Sequence, residues 1–392
     1  MKHDPRPLIA HVVFRFDVGG LENGVVNLLN ALPFDRFRHA VIALTEITTF
    51  RRRVLRDDVE FIALQKPPGH ALRLYPRLIQ MFRRMKPDIV HTRNLAALEV
   101  AVPAWLAGVP VRIHGEHGRD IGDLDGSNRR YRRIRRLYHP FVSRYVTVSK
   151  DLERYMQEVV GGARVTQIYN GVDTTLFAPA ANGRAPIADS PFNDPGLWVV
   201  GTVGRLMRVK DQVTLAKAFA RLVHMHPGGE RIRLIVAGTG PLREAIERVL
   251  VEANLQDRAW LCGERNDVAD VMRGLDCFVL PSLAEGISNT ILEAMATRLP
   301  IVATRVGGNS ELIDDGTNGT IIAADSPDEM AAAVLRYRID PALAGRHAQA
   351  ARDVALECFS LVRMAGDYRS LYESVLRAHH SHGHAPMESP TS

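Results

Sequence analysis

The chain has 392 residues, 46% of them apolar and 24% charged, with a formal net charge of +6 and a pI near 9.4. That is the profile of a soluble globular protein with two domains of ordinary size, and no apolar run approaches the ~18–20 residues of a membrane span. Cys262, Cys277 and Cys358 lack metal-ligand spacing and read as buried thiols of a cytosolic protein, while Met1-Lys-His-Asp-Pro lacks a signal-peptide apolar core. The basic residues are nearly all Arg, with Lys only at 2, 66, 86, 150, 210 and 217, a balance that favours anionic partners such as phosphates, acidic lipid or nucleic acid.

The first half opens with the apolar strand Leu8–Phe14, a Gly19-Gly20 turn and a helical pattern from Leu21 to Leu32. Strands follow at His39–Leu44, Val59–Leu64, Asp88–His91, Val109–Ile113 and Tyr145–Val148, with helical segments around Leu74–Met85 and Leu95–Ala107. Alternating strands and helices predict a mainly parallel sheet covered on both faces. The rhythm pauses in a Pro/Gly/Asn-rich stretch, which marks residues 179–196 as a linker after a first domain of 1–178.

A second domain, 197–360, restarts with strand Leu197–Val203, helix Asp211–His224, strand Ile232–Ala237, helix Leu242–Ala253 and strands Ala259–Cys262 and Cys277–Leu280. Strand Ile301–Thr304, helix Ser310–Asp314 and strand Gly319–Ile322 come next. A C-terminal helix over 361–378 is expected to pack back on the first domain, and the His-rich tail 379–392 to be disordered. The expected fold class is α/β, with two Rossmann-like, doubly wound parallel-sheet domains facing a cleft. Open α/β folds bind ligands at the carboxyl ends of their strands.

Four strand-to-helix loops of the second half fall on that side. In Gly204-Arg205-Leu-Met-Arg-Val-Lys210-Asp211, two cations come to a helix that Asp211 can cap, enough to balance a diphosphate without a metal. Gly238-Thr-Gly240-Pro-Leu242 is a Gly-rich turn that lets a nucleotide approach the backbone. Glu285-Gly-Ile-Ser-Asn-Thr-Ile-Leu-Glu293 sets two carboxylates around a helix start that Ser288 or Asn289 can cap. Val306-Gly307-Gly308-Asn-Ser-Glu311 supplies a second glycine pair. Each has a plain alternative as a solvated surface loop; the four in this order suit a ligand with an anionic group flanked by hydroxyls, such as a sugar nucleotide.

In the first half, Gly19-Gly20 permits backbone approach to a phosphate or sugar, but neither G-x-G-x-x-G there nor a P-loop is present. His114-Gly-Glu-His117-Gly118 reads as a loop after its strand, and a polar contact from His117 to a sugar is preferred over metal binding. Arg129–Arg136 packs six arginines into eight residues. An anionic membrane surface or an acceptor's phosphates is one reading, a solvated helix the other. Arg51–Arg53 and Arg83, Arg84 and Lys86 extend that patch only if the fold gathers them.

Taken together, Gly19-Gly20, His117 in Glu-His-Gly, Val148-Ser149, Asn170-Gly-Val-Asp173, Gly204-Arg205 with Lys210, Gly238-x-Gly240-Pro-Leu242, Glu285 to Glu293 and Gly307-Gly308-x-x-Glu311 resemble the retaining glycosyltransferases of family 4, two-domain GT-B enzymes. Within the family the chain is most similar to bacterial sugar transferases of exopolysaccharide assembly, including the PEP-CTERM-associated type. The resemblance implies that Arg205 and Lys210 hold the donor diphosphate near Gly20, that Glu285 contacts the transferred sugar and Glu293 the ribose, and that His117 orients the sugar. It also implies no metal or other cofactor, a nucleotide-sugar donor, a glycan or lipid-linked acceptor, and a cytoplasmic enzyme peripheral to the membrane. A sugar-nucleotide epimerase on the same scaffold is the alternative. A nucleic-acid-binding protein using the Arg-rich segment is disfavoured by the lack of a recognition motif, and a nicotinamide dehydrogenase by the missing fingerprint.

Overall fold

A computed structural model describes residues 4–119, 122–123, 126–225 and 228–382. The chain divides into two units: one runs to Tyr169 and takes up the chain again from Leu361, and the other is Asn170–Ser360.

The first unit is a seven-stranded, all-parallel sheet. Its strands are β1 (Leu8–Val13), β2 (Arg38–Ala43), β3 (Val59–Ala63), β4 (Ile89–Arg93), β5 (Val111–Glu116), β6 (Arg144–Thr147) and β7 (Val165–Gln167), in the order β3-β2-β1-β4-β5-β6-β7. All six residues of β1 are buried, as a strand covered on both faces requires. One face carries Ile9, Ile89 and Ile113 beneath Met364, Tyr368, Leu371 and Tyr372 of the C-terminal helix Leu361–His382. The other packs Ala10, Val12, Ile42 and Val90 on Leu78, Phe82 and Val100. Each large side chain so buried contributes roughly 1.5–3 kcal/mol.

The second unit is a six-stranded parallel sheet. Its strands are β8 (Trp198–Val203), β9 (Ile232–Ala237), β10 (Ala259–Gly263), β11 (Cys277–Leu280), β12 (Ile301–Thr304) and β13 (Thr320–Ile322), ordered β10-β9-β8-β11-β12-β13. Its core sets Val200, Leu234, Val236, Val279 and Val302 against Leu215, Phe219, Ile246 and Val334.

Several expectations change. The 179–196 stretch is not a free linker, and the units divide earlier, between Tyr169 and Asn170. Ile187 and Phe192 are buried, Ala185 N–H donates to Arg273 O at 3.0 Å, and the Asn193 side chain bonds both N and O of Ile187 at 2.9 Å. Prolines and glycines there shape an ordered strap on the second unit. The C-terminal helix continues through 379–382, so that part of the expected tail is ordered; residues 383–392 lie outside the described residues. The segment 95–107 breaks into helices Leu95–Leu98 and Ala101–Leu106, with Pro103 in the first turn of the second, where its missing N–H costs nothing. β7 and the helix Val268–Arg273 were not expected. The three cysteines are free thiols, but only Cys277 is fully buried.

Candidate functional site

In the second unit the strand order reverses between β8 and β11, the point at which open α/β sheets hold ligands. The loops leaving these two strands carry the expected residues and are tied together. Leu283 N–H donates to Val209 O at 2.8 Å, and Lys210 Nζ lies 2.5 Å from Glu285 Oε1. Ser282, fully buried, donates its hydroxyl to the same Oε1 at 2.6 Å, so Glu285 Oε2 has no partner among the described residues. Among the described residues Lys210 keeps two of its three N–H donors unengaged. Arg205 is exposed and makes no ion pair among the described residues.

Local folding sets these positions. Asp211 takes a left-handed conformation (φ +47°) directly before helix Gln212–Met225; its main-chain carbonyl accepts from Thr214 N–H at 3.1 Å, and the Thr214 hydroxyl donates to Asp325 Oδ1 at 3.3 Å. Burial raises the Asp211 pKa from its ordinary value. Ser288 caps helix Asn289–Ala296 by accepting from Ile291 N–H at 3.3 Å, and Glu293 stands one turn in, half-buried. Asn170 Nδ2 donates to Asn289 Oδ1 at 2.9 Å, tying the Asn170-Gly-Val-Asp173 segment to that helix start.

The glycines are needed for close approach. Gly307 has φ +49°, and a Cβ there would run into the Glu285 carbonyl; next to it Gly308 N–H donates to Gly286 O at 3.0 Å. A Cβ on Gly238 or Gly240 would strike the carbonyls of Gly204 and Leu206, respectively, so the β9 loop lies against the β8 loop. Leu242 follows half-buried, packed on the core. Ser282 was given no role from sequence, because a lone hydroxyl at this position carries no pattern of its own; Asn289 was named only as a possible cap and Asn170 only within its motif, and their contact links residues 119 apart in the chain.

In the first unit, Gly19 is the N-cap of helix Gly20–Ala31. The Glu22 carboxylate folds over it, occupying the space a Gly19 side chain would take. The spacing of Glu22, three residues after the cap, is the signal that could have found it.

His117 donates its backbone N–H to Asn94 Oδ1 at 2.8 Å, and neither ring nitrogen has a partner among the described residues. The supposed His114–Gly118 loop needs correction: β5 runs to Glu116, so His114, Gly115 and Glu116 are buried strand residues. Glu116 is turned into the interior, 1% exposed. It accepts from Arg135 at 2.6 and 3.1 Å, and His114 Nε2 lies 3.3 Å away. Burial would raise its pKa, but Arg135 and His114 bring it down to about 2.

On the opposite face a Cβ at Gly115 would lie 3.1 Å from Nε2 of both His91 and His117. Beside them Arg93, 2% exposed, donates to the His91 carbonyl and has no carboxylate partner among the described residues. Burial, reinforced by Arg93, lowers the His117 pKa to about 3, so at neutral pH the ring is uncharged and able to accept a hydrogen bond. His91 and Arg93 were missed because residues inside a strand read as core.

The Arg-rich segment is helix Arg129–Tyr138, but its arginines are not equivalent. Arg135 is buried on Glu116, Arg132 pairs with Glu158 at 3.1 Å and Arg136 donates to Val159 O at 3.0 Å. Arg129, Arg130 and Arg133 remain exposed. Arg53 turns away to Asn23 at 2.7 Å. Among the described residues no group of three or more His, Cys, Asp or Glu is placed to hold a metal, and no helix is long and apolar enough to cross a membrane.

Two Rossmann-like parallel sheets, the second with a cation–carboxylate pair at its switch point, are the architecture of the GT-B glycosyltransferases. HepE from Anabaena, solved with UDP and glucose, superposes with a TM-score of 0.78 over 93% of this chain and 99% of its own at 21% identity, a likeness in fold. Residues 18–176 match the model described as Glycosyltransferase Family 4, and residues 198–340 that described as Glycosyl transferases group 1. The 2-deoxystreptamine glucosyltransferase of Streptomyces kanamyceticus is 31% identical over 76% of this chain and 80% of its own. The UDP-Gal:alpha-D-GlcNAc-diphosphoundecaprenol alpha-1,3-galactosyltransferase of Escherichia coli is 28% identical over 75% and 77%. The chain belongs to glycosyltransferase family 4, and is a glycosyltransferase.

Proposed function

We propose that the enzyme moves a sugar from a nucleoside-diphosphate sugar to a lipid-linked or glycan acceptor, with retention of anomeric configuration and without a metal, in the assembly of a surface or exported polysaccharide. The observation that carries this reading is the Lys210–Glu285 pair at the β8/β11 switch point. Lys210 and Arg205 meet the diphosphate, and their charge stabilises the leaving group as the glycosidic bond breaks. Glu285, pinned through one oxygen, offers the other to a hydroxyl of the transferred sugar, and Glu293 serves the ribose. Gly20, Gly238, Gly240, Gly307 and Gly308 give the donor access to backbone. His117, uncharged, orients the sugar.

A double displacement needs a carboxylate nucleophile at the anomeric carbon. In this reading Glu285 and Glu293 both grip hydroxyls, so the acceptor attacks the oxocarbenium-like centre from the face the nucleotide leaves, and a departing phosphate oxygen takes its proton. The PEP-CTERM-associated type remains the finer expectation within this role, with the enzyme acting at the cytoplasmic face of the membrane.

A thermal-shift panel of UDP-, GDP- and ADP-sugars, followed by transfer to membrane lipid extract with and without EDTA, tests the reading. An anomer-retained product formed in EDTA supports it. Inversion, or loss of activity in EDTA, overturns the mechanism, and change of the donor alone without acceptor points to an epimerase.

A further inference from the structure

Three stretches of the first unit contain neither Asp nor Glu: residues 64–86, 100–115 and 127–150. The fold packs them together. Helix Tyr75–Met85 rests on helix Ala101–Leu106, which rests on the turn His139–Phe141 that continues from helix Arg129–Tyr138. Side chains join them further: Tyr75 Oη donates to Glu99 O at 3.1 Å just before the second of these helices, Arg83 Nη2 donates to Leu106 O at 3.4 Å, and Trp105 meets Phe141 edge-on with centroids 5.3 Å apart.

Through this junction runs a continuous track. Arg130, Arg133 and Leu137 follow at helical spacing, Leu137 leads to Phe141 and Trp105, and Leu106 leads to Arg83. Its apolar members stand out of the core: Leu137 is 68% exposed, Trp105 50% and Leu106 45%. Carboxylates near these stretches are engaged elsewhere: Asp88 accepts from Leu8 N–H, Glu99 faces Lys66, Glu116 holds Arg135, Asp151 pairs with Arg119 and Glu158 with Arg132. Arginines without an ion pair around a protruding Trp-Leu pair, with no carboxylate among the described residues of the track, form a surface suited to anionic headgroups with apolar chains beneath them. Indole and guanidinium groups are at home at that boundary.

We propose that this track is a docking face for an anionic lipid bilayer, with Trp105, Leu106 and Leu137 inserting at the headgroup level and Arg83, Arg130 and Arg133 meeting lipid phosphates. The proposal deepens the reading of a lipid-linked acceptor: this face presents the first unit to the membrane in which such an acceptor sits. It also narrows the role of the Arg-rich helix, since Arg135 and Arg132 hold the fold and do not face lipid.

The test uses the full chain and vesicles of phosphatidylcholine with and without phosphatidylglycerol. Co-sedimentation with the anionic vesicles alone is expected, falling about tenfold in partition coefficient for Arg130→Glu/Arg133→Glu. Brominated lipid should quench the wild-type fluorescence, with the quenching reduced in Trp105→Phe because Trp198 and Trp260 belong to the other unit. No sedimentation with anionic vesicles, undiminished binding by the double variant, or tight binding to single-stranded DNA in place of vesicles would overturn the proposal. UDP-induced thermal shift, measured on the same proteins, should be equal in all of them. A missing shift in every protein, wild type included, counts against the transferase reading and leaves the vesicle result standing.

Discussion

Arg135 reaches Glu116 through a two-pronged contact, Nε to Oε1 at 2.6 Å and Nη2 to Oε2 at 3.1 Å, with both residues about 2% exposed or less. It fastens a helix of the polar surface to the interior of β5. Arg135→Met leaves a buried carboxylate without its cation and should cost about 3–5 kcal/mol in denaturant unfolding. Arg135→Met/Glu116→Gln should recover a large part of that loss. Equal destabilisation of the single and double variants would mean that packing, not charge, is what the pair provides.

Removing Lys210 strips the switch point of its buried-side cation. Lys210→Ala should lower kcat/KM by about 10²-fold or more, with a small change in Tm, because Glu285 keeps its bond from Ser282. Wild-type turnover in Lys210→Ala and Arg205→Ala would remove the diphosphate assignment.

Gly307→Ala combines a left-handed backbone with a Cβ driven into the Glu285 carbonyl. The expected loss is about 1–3 kcal/mol of stability, together with weaker donor binding as the Glu285 loop shifts. A variant with unchanged Tm and unchanged donor KM would show that the loop yields freely.

The first unit also carries an acid sensitivity. Burial, with Arg56 second, lowers the His39 pKa from 6.5 to about 3, and burial lowers His11 and His91 as well. Below pH 6.5 the unfolded chain takes up protons that the folded one refuses, so stability falls as pH drops from 6.5 towards 3. For His39 alone the loss from pH 7 to pH 5 is on the order of 2 kcal/mol. Glu116, depressed from 4.5 to about 2, adds a further loss as pH falls below 4.5. His11→Leu/His39→Leu, which removes a buried pair joined at 3.0 Å, should flatten the Tm–pH curve between pH 7 and pH 5.

Much of this was legible because parallel strands buried on both faces leave continuous runs of Val, Ile and Leu, as in Leu8–Val13 and Cys277–Leu280. The glycine loops of the second unit were legible too, since Gly307 and Gly238 serve a steric purpose that a sequence displays openly. What stayed hidden depends on partners distant in the chain. Nothing near Arg135 announces Glu116, and nothing near Ile187 announces the pocket beside Gly274 that receives it. The Pro-rich strap looked free because turn residues indicate where the backbone bends, not whether it is held.

The helix Leu361–His382 has a consequence for synthesis. Tyr368 and Tyr372 cover Ile9, Ile89 and Ile113, and Tyr372 Oη meets His91 Nδ1 at 2.9 Å. The sheet they cover is translated before the second unit, and its cover only after it. A nascent chain therefore carries an open apolar face with buried-type histidines bared to water through the production of the whole second unit. The first unit can finish folding only once the whole second unit has been made and the helix Leu361–His382 has emerged, which reverses the usual N-to-C order and makes a stalled chain a target for chaperones.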